Sequence, residues 1–199
     1  MIEAHYDNAV RAIEMEVRRR LAKVSPLLVA LDGGSGAGKT RLATRLAEQI
    51  GASVVNTDDF WAGGDDEVWE ARTVQERVEL VIDWRRLRSE AVVPLLAQKT
   101  AQYLKADFVR NLGVSDEIVT IHPAEVIIIE GIYSCRPELA DLVSLSVLVD
   151  VPLKTRHRGR IAREGTHDSA WHHLWDEPEE YYFSVVMPRS AFDMVINGR

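Results

Sequence analysis

Residues 31–40 read LDGGSGAGKT, with Gly33, four further residues, then Gly38, Lys39 and Thr40. Glycine loses more backbone freedom on folding than any other residue, so this density of it needs a reason. The apolar run LLVAL, residues 27–31, comes before it, and helical periodicity follows. G-x-x-x-x-G-K-[ST] between a strand and a helix is the phosphate loop, or Walker A pattern. Bare backbone N–H groups there curl into an anion nest, and the helix N-terminus adds partial positive charge. The pattern assigns nucleotide binding to Gly33, Gly34, Ser35, Gly36, Ala37, Gly38, Lys39, Thr40 and Arg41. Lys39 would reach the β- and γ-phosphates of ATP, and the Thr40 hydroxyl would sit on Mg²⁺. A ligand-free glycine turn would not need the lysine and threonine at that spacing.

Enzymes with such a loop hold Mg²⁺ with help from an acid at the end of a neighbouring strand. Two apolar runs here end in acids: VVNTDDF in Asp58 and Asp59, and VIIIEG in Glu130. Gly131 would leave space beside the phosphates. A hydroxyl acceptor must also lose its proton, and a carboxylate in hydrogen-bond reach accepts it. Within the Asp58/Asp59 pair the role stays open, and a turn-capping role rivals it for Asp58. Farther along, Arg156, Arg160 and Arg163 fall at i, i+4 and i+7, on one helical face. They face either phosphates or solvent, where Glu164 and Asp168 would neutralise them. His172 and His173 are adjacent, point apart on a helix and lack a third metal ligand at a usable spacing. Trp171 and Trp175 read as a packed pair, and Trp61 and Trp69 as pocket or core.

These residues need a frame. Ile2, Tyr6, Ala9, Ile13, Val17 and Leu21 mark an N-terminal helix over 3–22. Strands are expected at 27–31, 53–57, 125–131, 145–151 and 192–196, with weaker ones near 101–108 and 117–121. Helices are expected at 39–50, at 74–97 in two pieces, at 153–164 and at 168–187. Continuous apolar runs alternating with amphipathic helices indicate a parallel sheet covered on both faces. The expectation is an α/β three-layer P-loop NTPase fold. It has a mainly parallel five-stranded sheet and a small helical lid over 153–175, all in a single domain over 1–199. Residues 33–40, 57–61, 130–134 and 150–152 all follow strands, and ligands of such sheets bind beyond the strand carboxyl ends.

The chain has 199 residues and a net charge of −7, which argues against a nucleic-acid partner. No apolar run approaches the roughly 20 residues that span a bilayer, so no membrane role is expected. The first residues lack the pattern of a secretory signal. With Cys135 as the single cysteine, a reducing cytoplasmic setting is expected, for a monomer or a homodimer.

Taken together, GGSGAGKT, TDDFW, IIIEGIY and TRHRGRIARE resemble, in this order, the uridine kinase / phosphoribulokinase group of P-loop kinases. The likeness covers nearly everything after residue 26. It implies an ATP- and Mg²⁺-dependent kinase transferring the γ-phosphate to a hydroxyl of a nucleoside-like or sugar-like small molecule. It places the catalytic base on Asp58, metal assistance on Glu130 beside Thr40 and Asp58, and lid arginines at Arg160 and Arg163. The acceptor side departs from the group. Of its ribose-holding segment, ERVELVIDWRRL keeps only Asp83, and Ala106 and Asn111 stand where the group has a tyrosine and a histidine around the pyrimidine. The phosphate chemistry therefore carries over and the pyrimidine contacts do not, leaving Trp61, Trp69, Arg72, Asp83, Arg110 and Asn111 around the presumed pocket. The alternative is a regulatory nucleotide-binding NTPase without an acceptor. A GTPase is disfavoured because no Asn-Lys-x-Asp segment occurs.

Overall fold

The computed structural model describes residues 2–107, 113–164 and 169–197, with side chains at 6–107, 113–159, 161 and 174–197. The chain runs α1 (Ile2–Leu21), β1 (Leu27–Asp32), α2 (Lys39–Ile50), β2 (Ser53–Asn56) and a 3₁₀ turn at Thr57–Phe60. Next come α3 (Asp66–Glu70), α4 (Val74–Leu80) and α5 (Trp84–Arg86), which passes through a π-helical stretch, Leu87–Val92, into α6 (Val93–Leu96). The strands β3 (Ala101–Ala106), β4 (Val114–Ile121), β5 (Val126–Glu130) and β6 (Leu145–Asp150) follow. The described chain closes with α7 (Leu153–Glu164), α8 (Ser169–Tyr181), a π-helical extension Tyr182–Val186 and β7 (Met194–Asn197).

The main sheet has five strands in the order β2-β5-β1-β6-β7. Every pairing in it is parallel, so the sheet is wholly rather than mainly parallel. Every residue of β1 and β5 is buried. That is why both read as unbroken apolar runs: strands covered on both faces have no solvent side to alternate with. One face packs on α1 and α2 through Ile13, Val17, Leu42 and Leu46. The other packs on the α4–α6 region and Tyr182. The two weak strand expectations, 101–108 and 117–121, pair with each other as an antiparallel hairpin outside the main sheet.

Local chemistry sets the element ends. Gly51, at φ +68°, stops α2, and its N–H donates to the Ala47 carbonyl at 2.8 Å. A reciprocal Thr73–Glu76 capping box starts α4. The expected break within 74–97 falls at Asp83, whose side chain accepts from the Arg86 N–H at 3.1 Å and caps α5. Trp69 belongs to the core, not to a pocket. It is fully buried, its Nε1 donates to the Gly63 carbonyl at 3.2 Å, and Trp175 packs on it at 5.3 Å. Trp175 thus pairs with Trp69, while the side chains of Trp171, His172 and His173 lie outside the described ones. Trp61 is half-buried, packs against the same core and bridges to Ile82.

The parallel register puts Glu130 of β5 between Leu31 of β1 and Asn56 of β2. One sheet edge therefore carries the ends of all three strands. Gly131, at φ +142°, lets the chain leave β5 against Thr57, since a Cβ there would lie 1.7 Å from Thr57 Oγ1. Gly51 offers the contrast: its φ is also positive, but a Cβ there meets nothing within 4 Å. Gly51→Ala should cost about 1 kcal/mol, the left-handed backbone alone. Gly131→Ala should cost roughly 2–4 kcal/mol, backbone plus overlap with a buried side chain. Urea denaturation of both variants measures the difference, and equal costs would refute the packing argument.

Candidate active site

The phosphate loop spans the gap between β1 and α2 in the geometry its glycines permit. Gly36 and Gly38 lie at φ +81° and +85°, and the Ala37 N–H donates to the Gly34 carbonyl at 3.1 Å, closing the turn. A Cβ on Gly33 would meet the Val149 carbonyl at 2.5 Å, so the loop leaves the sheet hard against β6. Lys39 is buried, and its Nζ donates to the carbonyls of Gly33 at 2.7 Å and Gly34 at 3.2 Å. The ammonium thus folds back over the loop it belongs to.

Behind the loop lies Asp32, fully buried at the end of β1. Its Oδ1 accepts from the N–H groups of Gly33 at 2.7 Å and Tyr133 at 3.0 Å. Its Oδ2 accepts from the Cys135 N–H at 2.9 Å and the Tyr182 hydroxyl at 2.8 Å. Burial raises this carboxyl above the usual range, while the Cys135 N–H, the Tyr182 hydroxyl and Lys39 pull the other way. Tyr133, held in this network, keeps a positive φ of 65°.

The other acids assemble beside the loop. Burial raises the Glu130 carboxyl and nearby Asp58 and Asp59 add to the rise, while Lys39 and a hydrogen bond with the Thr40 hydroxyl oppose it. Lys39, Thr40, Glu130, Asp58 and Asp59 therefore share one electrostatic neighbourhood. The aspartate pair divides its work. Asp59 is half-buried and accepts from the Tyr103 hydroxyl of β3 at 3.0 Å. Burial raises its carboxyl, and burial with the adjacent Asp59 raises the Tyr103 phenol. Asp58 is exposed, and the cap of its turn is Asn56, whose side chain accepts the Asp58 N–H at 2.9 Å. The capping role weighed for Asp58 thus belongs to Asn56.

Of the arginine face, Arg156 is inward, at the loop. It donates to the Ser35 carbonyl at 3.3 Å and pairs with Glu179 of α8. The backbone of Arg160 and Arg163 is helical in α7, while their side chains lie outside the described ones. Arg110 and Asn111 lie outside the described residues altogether. Ala106 is buried, Asp83 caps α5, and Arg72 stacks on core Trp69 at 3.9 Å from its ring. The sequence marked Tyr6 only as part of the N-terminal helix face and assigned no site role to Asp32, Glu179 or Tyr6. Only Asp32 leaves a trace in the sequence, as a charge ending an otherwise apolar run. Tyr6 of α1 reaches the loop so closely that a Cβ on Gly38 would lie 2.2 Å from its hydroxyl. Arg41 sits over the Tyr6 ring at 4.7 Å.

The donors fit a nucleotide polyphosphate and a hard divalent cation. A glycine loop with a buried ammonium is present, and beside it a hydroxyl and carboxylates, the oxygen ligands such cations take. No cluster of three or more His, Cys, Asp or Glu able to hold a metal occurs among the described residues. No helix of the described residues is long and apolar enough to cross a membrane.

No protein-family model matches the chain. Among curated proteins it is 25% identical over 188 residues to a uridine kinase of Halobacterium salinarum, covering 85% of this chain and 83% of that one. It is 27% identical over 190 residues to a uridine kinase of Deinococcus deserti, covering 85% and 91%. Among solved structures, a proposed uridine kinase from Bacillus stearothermophilus superposes with a TM-score of 0.67, at 21% identity over 98% of both chains. A proposed fructose transport system kinase from Silicibacter has the same TM-score at 22% identity, over 94% of this chain and 98% of that one. The chain has the P-loop kinase fold, and both curated proteins named above, each matched over 85% of this chain, are uridine kinases.

The Asp32 network makes a measurable claim. Asp32→Asn puts an amide where only acceptors satisfy the surrounding donors, leaving a buried N–H unpaired. The cost should be about 2–4 kcal/mol, a melting temperature lower by roughly 5–15 °C. Tyr182→Phe removes a single donor and should cost about 1 kcal/mol. An Asp32→Asn variant no less stable than Tyr182→Phe would refute the network.

Proposed function

We propose that this protein is a phosphotransferase that moves the γ-phosphate of ATP to a hydroxyl of a nucleoside-like or sugar-like small molecule. The observation carrying the proposal is the glycine loop with buried Lys39 folded over it, set beside the strand end where Glu130 lies in register with Asn56, the residue that caps the Asp58/Asp59 turn. The curated relatives named uridine kinase support the reaction class. In this reading Gly33 to Thr40 cradle the phosphates, with Arg41 following, and Lys39 shares its ammonium between loop carbonyls and phosphate. Thr40 and Glu130, with Asp58 near, would hold Mg²⁺, which supplies charge neutralisation at the phosphates. Asp58 takes the acceptor proton. Its exposure leaves it open to a substrate, whereas Asp59 is engaged by Tyr103. Residues 153–175 act as a lid bringing Arg160 and Arg163 to the transferred phosphate, within a single domain. Such a transfer needs positioning and charge neutralisation more than covalent help.

The acceptor is proposed not to be an ordinary pyrimidine nucleoside. Buried Ala106 offers no hydrogen bond where the resembling kinases have a tyrosine. Asp83 is engaged in capping. A site that reads substrate groups by hydrogen bonds discriminates by roughly 10⁴–10⁵ when a contact is missing.

Two experiments test this function, the first on variants. Lys39→Ala should stay folded and lose roughly 10²–10³ in rate, the cost of a preorganised charge. Asp58→Asn should lose roughly 10²–10⁴ with ATP affinity less affected. If Asp59→Asn is instead the inactive variant, the two roles exchange. The second test is ADP release against a panel of sugars and nucleosides. Turnover should be low with ATP alone and rise sharply with the right acceptor, while uridine and cytidine should stay below a kcat/KM of about 10⁴ M⁻¹s⁻¹. Acceptor-independent turnover throughout would favour the regulatory NTPase.

A further inference from the structure

Glu179 is a carboxylate standing in an anion-binding loop. It lies on α8, is 3% exposed, and sits 144 residues along the chain from the loop residue it touches. Its Oε1 accepts from the Ser35 N–H at 3.1 Å. Its Oε2 pairs with Arg156, which also donates to the carbonyls of Ser35 at 3.3 Å and Val151 at 3.2 Å. Gly34 makes this approach possible, because a Cβ there would overlap Arg156 and come within 2.8 Å of Glu179 Oε2. The helix carrying Arg156 also lies on the loop, since a Cβ on Gly159 would be 3.2 Å from the Gly36 carbonyl. Backbone N–H groups of a phosphate loop and a guanidinium are the donors that bind phosphate oxygens. Here an internal carboxylate holds one of each.

Resting on the ATP-kinase reading, we propose that Glu179 is an affinity-setting residue of the nucleotide site. It is an internal anion that competes with ATP phosphates for the Ser35 N–H and for Arg156. A phosphate arriving at the loop meets a like charge and must displace it. Arg156 is then released from Glu179 to the phosphate, and α7 stays attached to the loop through the nucleotide instead of through the protein. The displaced side chain has room, because a cavity of about 710 Å³ adjoins the pair and is lined in part by Gly34, Arg156 and Glu179. Apparent affinity falls in proportion to the fraction of molecules in which the site is open, so the pair keeps nucleotide affinity below what the loop alone would reach.

The test is calorimetric binding of a non-hydrolysable ATP analogue with Mg²⁺ to the full chain and to Glu179→Gln, Glu179→Asp and Lys39→Ala. Glu179→Gln removes the charge and keeps the shape, so it should bind roughly tenfold more tightly. Glu179→Asp should stay near the parent. Binding by folded Glu179→Gln that is unchanged or weaker, with Lys39→Ala lost, overturns the proposal and leaves the phosphate-loop reading standing. No binding by the parent or Glu179→Gln overturns both. A second measurement covers a Glu179→Gln variant that fails to fold. In the isotopically labelled parent, inorganic tripolyphosphate should shift the Glu179 carboxyl carbon and Ser35 amide resonances together. Tripolyphosphate that binds without moving the Glu179 signal overturns the proposal.

Discussion

A single buried carboxylate ties together the parts that make the site. Asp32 is removed from water at the end of the central strand, which is costly unless every lone pair is used. Its four donors come from the start of the phosphate loop, from two residues beyond β5 and from the end of the α8 region. These segments are far apart in sequence, and all of them share Asp32 as their common acceptor. The loop's position relative to Glu130 follows from this, because Tyr133 and Cys135, just beyond β5, are pinned to the residue that precedes Gly33. The positive φ of Tyr133 is understandable in the same terms: its own N–H and that of Cys135 are both held by Asp32, which fixes its backbone.

The loop's own charges are organised around that anchor. Lys39 is close enough to Asp32 and Glu130 to oppose the rise that burial imposes on both carboxyls. It is meanwhile satisfied by two loop carbonyls. The ammonium is therefore held in place by the protein itself. Preorganisation of this kind is what makes a charge effective at a phosphoryl group. Across the loop, Arg156 of α7 and Glu179 of α8 form the corresponding pair, and Tyr6 braces the outer face at Gly38.

The β3–β4 side follows a different logic. The β3–β4 hairpin stands apart from the main sheet and reaches the site through Tyr103, which holds Asp59 and packs on Phe60 at 4.5 Å. Two adjacent acids on one short turn thereby acquire different surroundings, one tethered and half-buried, the other exposed. The likeness in fold extends over nearly the whole chain at about one residue in five identical. The parallel sheet and its loop need few specific side chains, whereas an acceptor pocket needs particular ones.

The parallel sheet, its five strands and the helices between them were legible from the sequence because their signals are local. Strands buried on both faces must be apolar throughout, as in LLVAL and VIIIE, and a phosphate loop must have its glycines and lysine at fixed spacing. Thr40, Asp58 and Glu130 could be placed at the sheet's carboxyl edge for the same reason: each ends or follows a strand, or opens a helix. What tertiary structure alone decided were the partners. Asn56 caps the turn that might have employed Asp58, Tyr103 claims Asp59, Trp69 turns into the core, and the weak strands pair with each other. Glu179 had no local pattern to mark it. Its environment is set by a loop 144 residues away, and a hydrogen bond between distant segments leaves no periodicity or spacing in the chain. Only the closure of α8 onto the sheet, which Asp32 anchors through Tyr182, brings that carboxylate to the phosphate loop.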